Sequence, residues 1–174
     1  MAGDAKNNSN IKAPVAKGMG ILNDIFNILE QVTFGEHYFQ IALLLRESLL
    51  VNSVLYNSSV WYNLTQKDIN ELSYLDKVFY SRLYSIPMTA PSESFYLENG
   101  ALDFNTIIKA RRIIYFHNVL NRNRSQLIYS FMMSQIAKKS KFDWVSQVLK
   151  DLEDFKISAS ISYLQNSLEK ALKK

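Results

Sequence analysis

Apolar residues recur at helical spacing along most of the chain, and one stretch is apolar on nearly every side of a helical projection. This stretch covers residues 38–56, with the sequence YFQIALLLRESLLVNSVLY. A helix that is hydrophobic all round is either a buried core helix or a membrane span, and a span needs about 20 consecutive apolar residues. Because Arg46 and Glu47 interrupt the run near its middle, the pattern predicts a buried central helix and no membrane span. The charged residues of such a helix should be paired or lie near the surface.

The remaining pattern predicts an all-α fold, a single domain of about seven helices around the central helix. Helical periodicity covers residues 19–32, 66–84, 104–121, 125–138, 142–155 and 159–172. A short helix is predicted between Pro91, which is well placed to open it, and Gly100, which ends it. Thr65 and Asp68 have the spacing of a capping box, with Asp in place of the usual Glu. Asp103 is a candidate cap for the next helix.

The length of 174 residues suits one domain, which we place at residues 15–174. Pro87 and Pro91 form the clearest interruption, so a subdivision near 87–91 is kept as an option. Residues 1–14 are polar and rich in Asn, and they are predicted to be a flexible lead without a secretory signal. The chain contains no Cys, which excludes disulfides, thiolate zinc sites and Cys nucleophiles. This composition fits an intracellular location, nuclear or cytoplasmic.

Charge is distributed unevenly along the chain. Residues 1–87 carry seven Lys and Arg against eight Asp and Glu, whereas residues 88–174 carry thirteen against eight. Between positions 104 and 142 there are eight basic residues and no acidic one, which indicates an anionic partner such as nucleic acid. We expect these residues to contact phosphates without reading sequence. The predicted contacts are Lys109, Arg112, Arg122, Arg124, Lys138, Lys139 and Lys141.

Arg111 is excluded from that set because it falls in the middle of an apolar stripe of its helix. We therefore predict a buried structural arginine. A buried guanidinium requires a carboxylate partner, since an unpaired buried charge is strongly destabilising. Glu47 and Glu98 are the candidate partners in this structural ion pair, and Arg112 is expected to be the more exposed of the two adjacent arginines.

No group of residues assembles into a catalytic motif. The sequence has no adjacent Asp pair of the kind found in a polymerase palm, no His-Glu-x-x-His motif, no Gly-x-Ser-x-Gly elbow and no phosphate-binding glycine loop. Asp151, Glu153 and Asp154 are predicted to lie on a solvated helix face and not to form a metal site. We therefore expect a chain that is not an enzyme, with no catalytic residues, no metal site and no cofactor.

A series of short motifs runs in order along nearly the whole chain. They are Lys6-Asn-Asn-Ser-Asn-Ile11, Lys17-Gly-Met-Gly-Ile21, Leu45-Arg-Glu-Ser48, Trp61-Tyr-Asn-Leu64, Pro87 with Pro91, Tyr96-Leu-Glu-Asn-Gly100, Ile107-Ile-Lys-Ala-Arg-Arg-Ile-Ile-Tyr-Phe-His117, Asp143-Trp-Val145 and Asp151-Leu152. In this order they resemble the C-terminal part of the reverse transcriptase of non-LTR (LINE-type) retrotransposons.

The resemblance implies the thumb and post-thumb helices, which follow the catalytic palm in that family and hold the template–primer duplex or the template RNA. It therefore implies a non-catalytic module that binds RNA or DNA. The chain departs from the family pattern at Pro14, where the family has Arg, and it lacks the palm and finger regions. An excised fragment, a degenerate copy and a short gene derived from such an element all remain open.

A protein-interaction or assembly domain is the alternative function. Aromatic residues make up 13% of the chain, and several Tyr residues cluster at 74–84, so exposed aromatic side chains could bind a protein partner. Convergence of the basic residues on one surface would favour nucleic acid over this alternative. A membrane-surface role for the basic, mildly amphipathic segment at 161–174 ranks third, behind an ordinary packed terminal helix.

Overall fold

The computed structural model describes residues 11–35, 37–122, 125–138 and 143–157, and in these ranges it confirms the all-α prediction. Seven helices and a short 3-10 turn at Ser58–Val60 are present in this part of the chain, and no strand. The helices are α1 (Lys12–Leu29), α2 (Tyr38–Leu45, continued by a π-helical stretch at Arg46–Val51 and an α-helical turn at Asn52–Val54), α3 (Gln66–Tyr84), α4 (Ser92–Asn99), α5 (Phe104–Leu120), α6 (Leu127–Lys138) and α7 (Trp144–Asp154). None of the described helices has both the length and the apolar character needed to cross a bilayer.

The chain divides into two compact units. The first comprises Met1–Tyr56 and Leu64–Ile107, and the second comprises Asn57–Asn63 and Ile108–Lys174. Residues 87–91, where the sequence offered a subdivision, lie within the first unit. Helix α5 begins in the first unit and continues in the second, so the boundary falls inside a helix and has no sequence signal of its own.

The core of the first unit lies where α1, α2 and α3 meet. Leu22, Ile25 and Leu75 are fully buried there. Gly18 allows α1 to approach its neighbours closely, because a Cβ at this position would lie 2.6 Å from the Leu75 side chain and 2.9 Å from that of Val54. Real Cβ atoms do not come so close to other atoms, so this contact requires glycine.

Helix α2 is central to this core but is not its most buried element. Ala42, Leu50 and Val54 are buried on one side, whereas Leu44 is 67% exposed on the other. Helix α3 buries more residues along its length. The prediction of burial all round α2 is therefore wrong, because its partners cover a single stripe and the apolar residues of the opposite face remain at the surface.

Local capping signals were predicted correctly. The Thr65 side chain accepts a hydrogen bond from the Asp68 backbone N–H at 3.2 Å, and the Asp68 carboxylate accepts one from the Thr65 N–H at 2.8 Å. Helix α4 begins directly after Pro91 and ends at Gly100, whose φ of 59° is left-handed and favours glycine. The Asp103 carboxylate accepts a hydrogen bond from the Thr106 N–H at 3.0 Å at the start of α5.

Helix α1 begins at Lys12, seven residues before the predicted start at Met19. Pro14 lies in its first turn, where a helix has no intrahelical partner for its backbone N–H groups and therefore tolerates proline. The predicted flexible lead consequently does not include residues 12–14, and residues 1–10 lie outside the described residues. The helix predicted at 159–172 also lies outside them.

Candidate functional site

Within the described residues, a buried ion pair between an arginine and an aspartate is present in each unit. In the first unit, Arg46 Nε donates a hydrogen bond to Asp76 Oδ1 and Arg46 Nη2 donates one to Asp76 Oδ2, both at 2.9 Å. Both side chains are buried. Arg46 Nη2 also donates to the Leu102 carbonyl at 3.1 Å, Nη1 contacts Glu47, and the Tyr96 hydroxyl donates to Asp76 at 3.2 Å. Arg46 therefore links α2 to α3 and to the segment before α5.

The electrostatics of this first pair keep Arg46 charged and its tyrosine neighbours neutral. Burial lowers and the Asp76 carboxylate raises the pKa of the Arg46 guanidinium, and the net shift is upward. Burial raises the pKa of both Tyr80 and Tyr96 above the usual tyrosine value. The Tyr96 hydroxyl therefore stays protonated and donates a hydrogen bond to the Asp76 carboxylate.

In the second unit, Arg112 and Asp151 repeat this geometry. Arg112 Nε and Nη2 donate to the two Asp151 oxygens at 2.7 and 3.0 Å, and Nη1 donates to the Trp61 carbonyl at 3.0 Å. Gln147 Nε2 adds a longer contact of 3.3 Å to Asp151. Two parallel hydrogen bonds between a guanidinium and a carboxylate fix orientation as well as charge, so this pair holds α5 against α7.

The assignment of the two adjacent arginines was therefore wrong. Arg112 is the buried residue, only 3% exposed, and it cannot reach a phosphate, whereas Arg111 is partly exposed. The predicted acidic partners are also placed differently, because Glu47 contacts Arg46 and Glu98 is exposed. Helix α5 has two largely apolar stripes, and the structure buries the one that contains Arg112 instead of the one that contains Arg111. The buried stripe consists of Ile108, Arg112, Phe116 and Val119.

The acidic cluster of α7 was also misjudged in part. Asp151 lies on the buried face of α7, whereas Glu153 is exposed as predicted. Asp154 accepts a hydrogen bond of 2.6 Å from Lys109 Nζ, so Lys109 is paired as well. Within the described residues, no three His, Asp or Glu side chains come together in a group that could hold a metal ion.

Few of the predicted phosphate contacts can be traced in the structure. Arg122 is exposed just after the end of α5, and Lys138 is exposed as the last residue of α6. Arg124, Lys139 and Lys141 lie outside the described residues. Within the described residues, the predicted set is reduced to Arg122 and Lys138, because Arg112 is buried and Lys109 is paired with Asp154.

The two units differ more in net charge than the two halves of the sequence do. The first unit carries seven Lys and Arg against eleven Asp and Glu, a net charge of −4. The second unit carries thirteen against five, a net charge of +8. Among its described residues, Lys109 is paired with Asp154 and Arg112 with Asp151. The second unit is thus strongly cationic on its own.

The second unit also contains an apolar pocket of about 330 Å³. It opens between the Ser58–Val60 turn, α5, α6 and the start of α7. Tyr115 and Trp144 form one wall, with ring centroids 5.7 Å apart in an edge-to-face arrangement. Trp144 is held in place because its indole N–H donates to the Ser59 carbonyl at 2.9 Å. The remaining lining residues are Val60, Tyr62, Val119, Ile128, Phe131, Met132, Gln135 and Asp143.

Sequence reasoning missed this pocket. Tyr62 and Trp144 lie more than eighty positions apart, and each was noted only as part of a short motif. For α6 the sequence predicted only a helix at 125–138, and Phe131 of this helix is 62% exposed at the pocket. The available signal was the combination of several aromatic residues with the excess of basic residues in the same part of the chain.

Comparison with known proteins assigns no family. No protein-family model, no curated protein and no solved structure matches the chain. The functional inference therefore depends on the geometry and charge described above, and the resemblance to a retrotransposon reverse transcriptase stays a prediction.

Proposed function

We propose that this chain is a non-catalytic, helical nucleic-acid-binding module whose second unit contacts the phosphate backbone. The observation that supports it most directly is the net charge of +8 on that unit, compared with −4 on the first. Attraction between lysine or arginine and phosphates is independent of sequence and supplies most of the affinity in non-specific binding. The module would therefore bind RNA or DNA with little sequence preference.

The ordered motifs that resemble a reverse transcriptase also support nucleic-acid binding. A module that is part of, or derived from, a reverse transcriptase of the non-LTR type would hold a template in the manner of thumb helices, without chemistry of its own. A nuclear or cytoplasmic location belongs to the same proposal.

The proposed contacts are those members of the predicted basic set that the fold does not bury or pair internally. Among the described residues these are Arg122 and Lys138, which are exposed. Arg124, Lys139 and Lys141 are added from the sequence pattern alone. Arg112 is assigned a different role, since its buried pair with Asp151 fixes α5 against α7.

The test is a titration of the full chain against single-stranded and duplex RNA and DNA at several salt concentrations. Neutralising Z phosphates gives a slope in log K against log salt of about −0.9Z for duplex DNA and about −0.7Z for single strands. The double variant Arg122→Glu and Lys138→Glu should weaken binding to every sequence and flatten the slope. Its matched control is Lys12→Glu and Lys17→Glu, which makes the same charge change at exposed positions of the first unit.

Two outcomes would contradict the proposal. The first is no binding to any of the four nucleic acids at low salt. The second is an equal loss of affinity in the two double variants, since a general change of net charge would then account for the effect without a contact surface on the second unit.

A second candidate function, protein interaction, is favoured by an exposed aromatic group in the first unit. Phe34 is 77% exposed, and its ring centroid lies 4.9 Å from that of Tyr38 and 5.8 Å from that of Phe39. Exposed apolar groups of this kind often mark interaction surfaces. The Tyr residues at 74–84 do not contribute uniformly, because Tyr80 is fully buried. Sedimentation at several protein concentrations, with Phe34→Ser as the variant, tests this candidate.

A further inference from the structure

The aromatic pocket of the second unit combines features that a bound nucleobase requires. Four of its ten lining residues are aromatic, with Tyr115 and Trp144 held edge to face and Tyr62 and Phe131 exposed beside them. Its volume of about 330 Å³ lies at the lower end of the range for small-ligand pockets, which is about 300–1,000 Å³. Aromatic side chains stack on any base, because every base has a π-face.

Two polar side chains among the lining residues could bind the edge of such a base. Asp143 is fixed because its Oδ1 accepts a hydrogen bond of 2.8 Å from the Ser146 N–H at the start of α7. Its second oxygen can accept from an amino group or from the ring N3–H of thymine, and the Gln135 amide can both donate and accept. A phosphate would be repelled by the Asp143 carboxylate, so this pocket suits a base and not the backbone.

The face of α6 that lines the pocket also carries an exposed cation, Lys138. Phe131, Gln135 and Lys138 are spaced by four and three residues, which places them on one side of the helix. The first two line the pocket, and Lys138 is exposed one turn further along. A stacking ring, a hydrogen-bonding amide and a cation therefore follow one another in the order that a base and its adjacent phosphate need.

From this arrangement we propose that the pocket receives an unpaired nucleobase, so that the module prefers single-stranded nucleic acid to a duplex. The proposal rests on the proposed nucleic-acid-binding function and specifies its substrate class. Charge complementarity is the reason to choose a nucleic acid over a protein as the occupant, since the pocket lies in the unit with a net charge of +8. A base in a duplex is stacked and paired, and it cannot enter without being extruded.

The experiment measures the affinity of the full chain for three probes of equal length. They are an oligothymidylate of about 12 nucleotides, within the site sizes common for single-strand binders, an abasic strand with the same phosphates, and a blunt duplex. Phe131→Ala is the test variant, because Phe131 is exposed and its loss should not unfold the protein. Phe34→Ala is the matched control, since Phe34 is also an exposed phenylalanine but lies in the first unit.

We expect the wild-type chain to bind oligothymidylate more tightly than either the abasic strand or the duplex. Phe131→Ala should lower the affinity for oligothymidylate by roughly 5- to 150-fold, the range for removing one stacking ring. Its affinity for the abasic strand should not change, and Phe34→Ala should affect neither. Circular dichroism checks that each variant keeps its helical content.

Equal wild-type affinity for the oligothymidylate and the abasic strand would overturn the pocket proposal while leaving the proposed function intact. A uniform loss on all three probes in Phe131→Ala would do the same. Absence of binding to any probe at low salt would overturn both. If Phe131→Ala leaves all three affinities unchanged and instead dissociates a dimer in sedimentation, the pocket holds a protein side chain.

Discussion

Arg112 and Asp151 lie 39 positions apart in the sequence and form a buried pair through two hydrogen bonds of 2.7 and 3.0 Å. Neither side chain has appreciable contact with solvent. Each side chain supplies the hydrogen bonds and the opposite charge that the other loses when it leaves water. Either charge would be destabilising in the interior without its partner.

Removing Arg112 should consequently destabilise the protein strongly. We expect Arg112→Ala to lower the free energy of unfolding by about 3–5 kcal/mol, because it leaves the Asp151 carboxylate buried without its partner. Arg111→Ala, at a partly exposed neighbouring position, should lower it by much less. Urea denaturation measures both. The double variant Arg112→Met with Asp151→Leu should recover most of the loss, and similar values for the two single variants would contradict this account.

The one-sided burial of α2 gives a second prediction. Leu50 is completely buried and Leu44 is 67% exposed. Leu50→Ala should lower the free energy of unfolding by about 2–5 kcal/mol through lost burial and a cavity, whereas Leu44→Ala should change it by about 0.5 kcal/mol or less. Thermal melting of the two variants decides the matter. An effect of Leu44→Ala as large as that of Leu50→Ala would mean that the exposed face of α2 is covered in solution.

Two glycines of α1 should respond in opposite directions to the same substitution. Gly18→Ala brings a Cβ within 2.6 Å of Leu75, so we expect a loss of about 1–3 kcal/mol from overpacking. Gly20→Ala meets no atom within 4 Å and should gain about 0.5–1 kcal/mol from the higher helix propensity of alanine. Chemical denaturation of both variants checks the signs. A gain in stability for Gly18→Ala would show that α1 and α3 can move apart without loss.

Buried tyrosines should make the protein sensitive to alkaline pH. Burial raises the pKa of Tyr96 in the folded state above the unfolded value of about 10. As pH rises past about 10, the unfolded chain loses this proton while the folded chain retains it, so stability falls with increasing pH. Tyr96→Phe should reduce that slope in denaturation curves recorded across the alkaline range. Tyr56→Phe is the control, since Tyr56 is exposed, and equal slopes in both variants would contradict the assignment.

Features that depend on residues close together in the sequence were predicted correctly, whereas features that depend on distant residues were not. Thr65 with Asp68 and the left-handed Gly100 are local, since the groups involved are within a few residues of each other, and they were predicted correctly. The buried face of α5 is not local. Both of its stripes are largely apolar, and Ile114 on the rejected stripe is 59% exposed. On the buried stripe Arg112 is paired with Asp151, 39 positions away, and nothing near Arg112 in the sequence indicates that partner.

The pocket and the unit boundary escaped prediction for the same physical reason. The pocket requires the turn at Ser58–Val60 to meet α5, α6 and α7, and helical periodicity contains no information about which helices become neighbours. Charge was informative in the sequence, but only as an excess in one region. The fold then used Arg112 and Lys109 internally and left Arg122 and Lys138 exposed.

The π-helical stretch at Arg46–Val51 has a consequence for the winding of α2. In a regular α-helix, each step of four residues advances about 40° beyond a full turn, so residues spaced by four drift around the axis. Ala42, Arg46, Leu50 and Val54 are nevertheless all buried. The underwound π turn reverses part of that rotation and keeps the four positions in phase. Wound as a regular α-helix, the same residues would place Val54 about 80° around the axis from Arg46, out of phase with α1 and α3. The π turn is therefore what allows one helix to present both a guanidinium and an aliphatic stripe to the same neighbours.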